Sequence, residues 1–174
     1  MASLFWDLLL LRHGIAEERS PNRAEAGREL TAAGRSRTRA VLERAAQLDL
    51  RADRLFSSPL ARAWQTAEIA RSVGLAPAIE LAQALEPGGD PLPLLPAWFA
   101  QGGEPTPCRL LLVGHEPDLG LLAARLLGAP PGAIALRKAG LALLRLPVAE
   151  VGGSLAGTAR LEWLMRPRLW LPRP

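Results

Sequence analysis

The sequence predicts an α/β fold, a three-layer α/β/α sandwich around a mostly parallel central sheet. Two observations predict it: short, mostly apolar runs alternate with longer segments of helical periodicity, and a polar motif directly follows each run. The runs span residues 8–11, 54–56 and 110–113, and runs of this length are typical of strands covered on both faces. Such strands, separated by helices, favour a parallel sheet between two helical layers.

The helices and later strands have signals of their own. Thr31 is expected to cap a first helix whose apolar positions recur at helical spacing as far as Leu48. Ser58 is expected to cap the second helix, since Pro59 suits a first helical position, and Arg62 then lies in the first turn. Further helices are predicted over residues 92–100 and 117–127, and strands over 140–148 and 159–165. The prolines of residues 166–174 predict neither sheet nor helix there.

One domain is predicted over residues 1–174, because this length supports a single core. Residues 86–107 are rich in Pro and Gly, and we interpret them as a long surface excursion that could cover a pocket. Trp98, within this excursion, is the one tryptophan expected to line a pocket.

Composition excludes several classes of protein. Hydrophobic residues make up 49% of the chain, which predicts a soluble globular protein and excludes a disordered one. No run approaches the length of a membrane span, and the N-terminal stretch lacks the features of a signal peptide. Cys108 is the only cysteine, so no intramolecular disulfide can form. We therefore expect a cytoplasmic protein with no membrane association.

The chain is basic, with a net charge of +4, and a basic nucleic-acid-binding module without catalysis is one alternative function. The basic residues are arginines apart from Lys138, and they are spread along the chain among acidic residues. This dispersion is typical of an ion-paired surface, so we expect no nucleic-acid partner.

The chain contains only two histidines, His13 and His115, and each follows an apolar run. Ligands of open parallel sheets bind beyond the carboxyl ends of the strands, where the connecting loops converge. This rule places Arg12, Arg62 and both histidines at one edge. Histidine titrates nearest neutrality among the side chains, so this placement indicates chemistry.

These residue types suit a phosphoryl group. A guanidinium offers a fork of donors for two phosphate oxygens, a neutral imidazole can attack phosphorus, and a second imidazole can donate to the oxygens. Helix N-termini after Pro59 and Pro117 would add partial positive charge at the same edge. The sequence therefore predicts a site for a phosphate-containing substrate.

Four motifs, in this order and at this spacing, resemble those of the histidine phosphatase superfamily. They are Leu11-Arg12-His13-Gly14, Leu30-Thr31-Ala32-Ala33-Gly34, the stretch from Ser57 to Ala67, and Val113-Gly114-His115-Glu116-Pro117-Asp118. The short chain and the closing Leu164-Met165-Arg166-Pro167 are most similar to the bacterial phosphohistidine phosphatases of the SixA type. The resemblance implies a phosphoglycerate mutase-like fold and a phosphatase that needs no metal and no cofactor.

The resemblance also implies a role for each matched residue. His13 would be the nucleophile that is transiently phosphorylated, His115 the transition-state donor, and Arg12 and Arg62 the phosphate clamp. Arg28 matches an arginine that often precedes Leu-Thr in this branch, which makes it a further candidate phosphate contact. An ordinary salt bridge is the alternative for each arginine. The implied substrate is phosphohistidine on a signalling protein; a small-molecule phosphomonoesterase or a mutase of the same superfamily are the alternatives.

One departure from the family concerns the general acid. Larger members place a glutamate where the best alignment puts Ala84, and the nearby candidate acids are Glu86 and Glu17. Carboxylates of this kind are more often solvated surface or loop groups than catalysts. An imidazole leaving group demands less of an acid than an alkoxide does, so a missing acid favours P–N over P–O substrates.

A metal-dependent hydrolase is a further alternative, because Glu116, Asp118 or Glu17 could join the histidines as ligands. The chain lacks the usual spacings of a zinc site, so we expect no metal. The sequence leaves the oligomeric state open.

Overall fold

The computed structural model describes residues 5–22, 24–100, 108–148 and 154–171. Within these ranges, one sheet has six strands: β1 (Phe5–Arg12), β2 (Arg54–Ser57), β3 (Glu80–Leu81), β4 (Arg109–Gly114), β5 (Leu141–Pro147) and β6 (Arg160–Met165). Their order is β3-β2-β4-β1-β5-β6; the first four are parallel, and β5 and β6 are antiparallel to their neighbours. The predicted central strands are confirmed, and the short edge strand β3 is an addition to the prediction.

Helices cover both faces of the sheet. They are α1 (Ala32–Gln47), α2 (Ala61–Ser72), α3 (Leu95–Ala100), α4 (Asp118–Leu127) and α5 (Pro167–Trp170). Leu8 and Leu10 of β1 point into the core shared with α3 and α4, whereas Leu9 and Leu11 point into the core shared with α1 and α2. The alternation buries successive side chains on opposite faces and explains why β1 is apolar throughout. The predicted three-layer sandwich is therefore present. The single domain stays a prediction.

Of the two predicted helix caps, Thr31 is confirmed and Ser58 is not. Thr31 caps α1 as predicted, its hydroxyl accepting a hydrogen bond from the Gly34 N–H at 2.9 Å. The prediction that Ser58 caps α2 is wrong: the helix begins at Ala61, and Leu60 is the cap residue. The Ser58 hydroxyl instead contacts the N–H of Leu60 and the ring of His115. Arg62 lies in the first turn of α2, as predicted.

The Pro/Gly-rich segment is only partly a surface excursion. A 3₁₀ turn over Leu92–Leu94 leads into α3, where the prediction of a short helix is confirmed. Trp98 stacks on Phe56 with ring centroids 4.2 Å apart, and Phe99 stacks on Trp6 at 4.5 Å. Because these rings are buried in the core, the surface interpretation is wrong for α3. Residues 101–107 lie outside the described part of the chain.

The C-terminal segment contains a short helix that the sequence did not predict. Residues 166–174 were expected to form no helix, yet Pro167–Trp170 form one turn. Pro167 occupies an N-terminal helical position, where proline costs no hydrogen bond, and Trp170 packs against Trp163. Residues 172–174 lie outside the described part. None of the helices in the described ranges has the length and apolar character that a membrane crossing needs. The cytoplasmic location stays a prediction.

Candidate active site

The carboxyl ends of β1 and β4 bring the two histidines together. Arg12 pairs in register with Gly114, and the N–H of His13 donates to the Gly114 carbonyl at 3.1 Å. The imidazole rings of His13 and His115 consequently lie with their centroids 5.1 Å apart. The structure thus places these two side chains at one edge of the sheet, where the sequence predicted them.

His13 is a buried, neutral imidazole with a defined tautomer. Its Nδ1 lies 2.7 Å from the carbonyl oxygen of Gly14, and because a carbonyl only accepts, Nδ1 carries the proton. Burial, opposed by that hydrogen bond and reinforced by the nearby positive groups, lowers the pKa of His13 to about 3. The other nitrogen, Nε2, therefore holds the lone pair at neutral pH, which is the form that a nucleophile needs.

Gly14 is required by the packing around this histidine. A Cβ at Gly14 would overlap the hydroxyl oxygen of Thr38 on α1. The Gly14 N–H donates to the Thr66 hydroxyl on α2 at 3.1 Å, so helices from one face of the sheet hold the turn after β1. The position of the His13 ring thus depends on a close approach that only glycine allows.

His115 is also buried and neutral. Its Nε2 lies 2.8 Å from the Ser58 hydroxyl, and its Nδ1 is buried with no hydrogen-bond partner among the described residues. Burial, together with the positive charges of Arg62 and Arg12, lowers the pKa of His115 to about 4. A neutral imidazole at this position can donate one hydrogen bond to a ligand only if the proton is on Nδ1.

Arg62 is held at the site by Glu25, a residue that the sequence analysis did not single out. Arg62 is almost fully buried; its Nη1 donates to the Glu25 backbone carbonyl at 2.9 Å, and its Nη2 lies 3.2 Å from the Glu25 carboxylate. Hydrogen bonding to Arg28 is the main reason that the pKa of Glu25 is lowered, so Glu25 is ionised at neutral pH. No signal in the sequence pointed to Glu25, because it lies in a loop without periodicity.

Arg28 contacts the same oxygen of the Glu25 carboxylate as Arg62 does. Its Nη1 donates to Glu25 Oε1 at 2.7 Å, and its Nε donates to the Glu17 carbonyl at 2.9 Å. A bridge between Ala16 and Leu30 closes this loop and brings Arg28 toward the edge that holds Arg62. Arg28 and Arg62 therefore share the Glu25 carboxylate, and the role of Arg28 as a phosphate contact stays a prediction.

Arg12 is fixed through a loop before β5. Its Nη1 donates to the Leu136 carbonyl at 2.9 Å, and the Leu136 N–H in turn donates to the Glu116 carboxylate at 3.1 Å. Burial raises the pKa of Glu116 and lowers that of Arg12, although a guanidinium remains charged near neutral pH. Arg12 Nε is buried with no partner among the described residues. His115 Nδ1 is in the same situation.

The candidate acids Glu17 and Glu86 lie in two different parts of the fold. The Glu17 carboxylate accepts from the Glu29 N–H at 3.2 Å. Ala84 lies in a 3₁₀ turn, Gln83–Leu85, and Glu86 follows this turn half-buried. Glu86 has no contact to either histidine among the interactions of the described residues, and both Glu17 and Glu86 remain predictions as acids.

A cleft of about 650 Å³ lies beside this edge, lined by residues of β2, β3 and α3 and of the turns after β2 and β3. Trp98, the tryptophan expected to line a pocket, is one of its walls, and Pro59 is another. Ala84 also lines the cleft, so the position aligned with the family's acid faces this space. A second cavity of about 450 Å³, at the opposite end of the sheet, is lined by Asp7, Arg109 and Arg145 among others.

Metal ligands are not gathered in the described part of the chain: no group of three or more His, Cys, Asp or Glu side chains there could hold a metal ion. Glu116, one of the alternative ligands, contacts the backbone of Leu136 instead. The expected absence of a metal stays a prediction.

The chain is similar to known proteins in sequence and in structure. The family model of the histidine phosphatase superfamily (branch 1) matches residues 8–86. An uncharacterized protein from Picosynechococcus sp. is 38% identical over 146 residues, which cover 83% of this chain and 88% of that protein.

Solved structures share the fold. The protein histidine phosphatase SixA complexed with tungstate matches with a TM-score of 0.78 and 24% identity, covering 94% of this chain and 98% of that chain. A mutant phosphoserine phosphatase from Entamoeba histolytica in complex with phosphoserine matches with a TM-score of 0.69 and 17% identity, covering 95% and 100%. The predicted phosphoglycerate mutase-like architecture is confirmed. From its sequence and its fold together, this chain is a hydrolase that belongs to the histidine phosphatase superfamily.

Proposed function

We propose that the protein is a phosphohistidine phosphatase that works through a phosphohistidine formed on His13. One observation carries the proposal: a neutral imidazole with its lone pair on Nε2 is buried beside a second imidazole and two guanidiniums. This nitrogen stays unprotonated because burial and the nearby positive groups both disfavour a further positive charge. That environment favours attack on an anionic phosphoryl group rather than binding of a cation.

In the proposed first step, His13 Nε2 attacks phosphorus, a bond forms between them, and the bond from phosphorus to the leaving nitrogen of the substrate breaks. Arg12 and Arg62 hold the phosphoryl oxygens, and His115 donates to an oxygen as charge develops. In the second step, water attacks the phosphorus of phospho-His13 and the P–N bond breaks. Both protons of the water leave with the product as dihydrogen phosphate, and His13 returns as the neutral imidazole with its proton on Nδ1. Atoms and charge balance without a metal or a cofactor.

The ionised Glu25 and the alanine at position 84 support a P–N substrate. Glu25, which touches Arg62, is ionised, because Arg28 lowers its pKa, and an ionised carboxylate cannot supply a proton. Alanine occupies position 84, where the family's acid aligns. An alkoxide needs a proton from a well-placed acid, whereas an imidazole carrying a proton on its second nitrogen leaves readily. The site therefore fits phosphohistidine better than a phosphate monoester.

A rate comparison tests this proposal. We would measure kcat/KM on a phosphohistidine-bearing protein beside an aryl phosphate, phosphoserine and a sugar phosphate, with and without a chelator. The proposal predicts the highest kcat/KM on phosphohistidine, weak metal-independent hydrolysis of the aryl phosphate, and inhibition by vanadate. High turnover of a sugar phosphate or phosphoserine with little turnover of phosphohistidine would support a small-molecule phosphomonoesterase instead.

A further inference from the structure

We propose that Ser58 is a positioning residue that sets the tautomer of His115, donating its hydroxyl hydrogen to Nε2 and thereby holding the ring proton on Nδ1. The inference rests on the proposed function, in which His115 donates a hydrogen bond to a phosphoryl oxygen. It assigns to Ser58 a role that helix capping does not require, since α2 begins at Ala61 with Leu60 as its cap.

The partners of the Ser58 hydroxyl determine the direction of this hydrogen bond. Ser58 is fully buried, and its Oγ accepts from the Leu60 N–H at 3.3 Å. Among the described residues, the only other partner of Oγ is His115 Nε2, at 2.8 Å. If Nε2 carried a proton, Oγ would accept twice and its own hydrogen would be buried without an acceptor, which is unfavourable. Within the part of the chain that the structure describes, donation from Ser58 to Nε2 leaves one buried group unpaired, the Nδ1 N–H, whereas the opposite tautomer leaves two, the hydroxyl hydrogen and the Nδ1 lone pair.

The position of Ser58 is fixed independently of His115. The Ser58 N–H donates to the Val113 carbonyl of β4 at 3.0 Å, and the Ser57 hydroxyl donates to the Ser58 carbonyl at 2.9 Å. The Leu60 N–H also donates to the Ser58 hydroxyl oxygen. The backbone N–H, the backbone carbonyl and the side chain of Ser58 are therefore each held by a hydrogen bond. Because the strand and the turn set this geometry, the hydroxyl is already aimed at His115 before substrate arrives.

This hydrogen bond makes Nδ1 of His115 the nitrogen that can donate to a ligand. With Nε2 accepting from Ser58, the single proton of the neutral ring lies on Nδ1, which is buried and has no partner among the described residues. Arg12 and Arg62 are close enough that their charges disfavour protonation of this ring. A neutral N–H among guanidiniums adds a hydrogen bond for an anion without adding a charge that the site must bury.

Nuclear magnetic resonance of the full-length protein with ¹⁵N-labelled histidine tests the tautomer directly. The chain has only two histidines, so four ring nitrogens are observed, and His13→Asn leaves the two of His115. The proposal predicts a protonated Nδ1 and a bare Nε2 on His115 at pH 7. A protonated Nε2 with a bare Nδ1 would overturn it. This readout needs no substrate, so it stands or fails separately from the phosphohistidine specificity.

Three variants connect the tautomer to the reaction with an aryl phosphate. Ser58→Ala should give a mixed or reversed His115 tautomer and lower kcat by about 10- to 100-fold with little change in KM. Ser58→Thr keeps the hydroxyl and should restore the wild-type tautomer and most of kcat. Ser72→Ala, the matched control, removes a serine hydroxyl at the C-terminal end of α2 that donates to the Ile69 carbonyl, and it should keep the wild-type tautomer and kcat.

Two results would contradict the role of Ser58. One is a Ser58→Ala protein with the wild-type tautomer and kcat; the other is a Ser58→Thr protein that folds and keeps its hydroxyl yet has the tautomer of Ser58→Ala. Should Ser58→Ala fail to fold, the wild-type and Ser58→Thr spectra still decide the question.

Discussion

Acidification from pH 7 to pH 5 should destabilise the fold through its two histidines. In the folded protein the pKa of His13 is about 3 and that of His115 about 4, against 6.5 in an unfolded chain. Between about pH 6.5 and pH 4 the unfolded chain therefore binds protons that the folded protein does not, and stability falls as pH falls. At pH 5, each histidine costs about 2 kcal/mol of unfolding free energy, or about 4 kcal/mol for the pair.

The assay is urea denaturation of wild type and of a variant without histidine, at half-unit steps from pH 7.5 to pH 4.5. In the variant, His13→Asn keeps a donor for the Gly14 carbonyl, and His115→Gln keeps a polar group within reach of Ser58. Carboxylates titrate in both proteins, so the difference between their pH slopes isolates the histidines. Wild type should lose about 4 kcal/mol more than the variant between pH 7 and pH 5.

Equal pH slopes in the two proteins would refute the reasoning. They would mean that the histidines titrate alike in the folded and unfolded states, and hence that neither is held neutral by burial. The claim that His13 presents a lone pair at neutral pH because of its surroundings would then lose its physical basis.

Substitutions at three positions test the arginine cluster and its supports. Arg62→Lys should lower kcat/KM for an aryl phosphate by about 100-fold, because a single ammonium cannot reproduce a bidentate fork; loss of less than about threefold would remove Arg62 from the clamp. Glu25→Gln should tighten vanadate inhibition by about two- to fivefold, since a competing negative charge on Arg62 is removed, and weaker inhibition would contradict this. Glu116→Leu should cost about 1–3 kcal/mol in denaturation by leaving the Leu136 N–H unpaired, while Glu116→Gln should cost less; equal losses would exclude that hydrogen bond as the cause.

The part of the site that the sequence could predict is the part carried by strand ends. His13 and His115 each follow a buried strand within two residues, so the rule for parallel sheets was enough to bring them together. The position of Arg62 could be predicted for the same reason, because α2 begins shortly after β2. Local sequence and one topological rule determine these placements.

The remaining features depend on contacts between distant parts of the chain. Ser58 lies directly before Pro59, a local pattern that also suits a helix cap. Its hydroxyl contacts His115 because the fold brings together two residues that are 57 positions apart in the sequence. Glu25 reaches Arg62 across 37 residues, through a loop closed by a bridge that no local pattern indicates. The burial of Trp98 and Phe99 likewise depends on aromatic partners in β2 and β1, which outweigh the flanking prolines and glycines.

Direct detection of phosphate on His13 tests the central claim. The protein would be mixed with a phosphorylated substrate for milliseconds, quenched in alkali, and mapped by mass spectrometry, with His13→Ala as the control. The account predicts a phosphoryl group on His13 that is stable in alkali and lost in acid, absent from His13→Ala together with turnover. A fully active His13→Ala protein, or phosphate trapped on another residue such as Ser58, would contradict it.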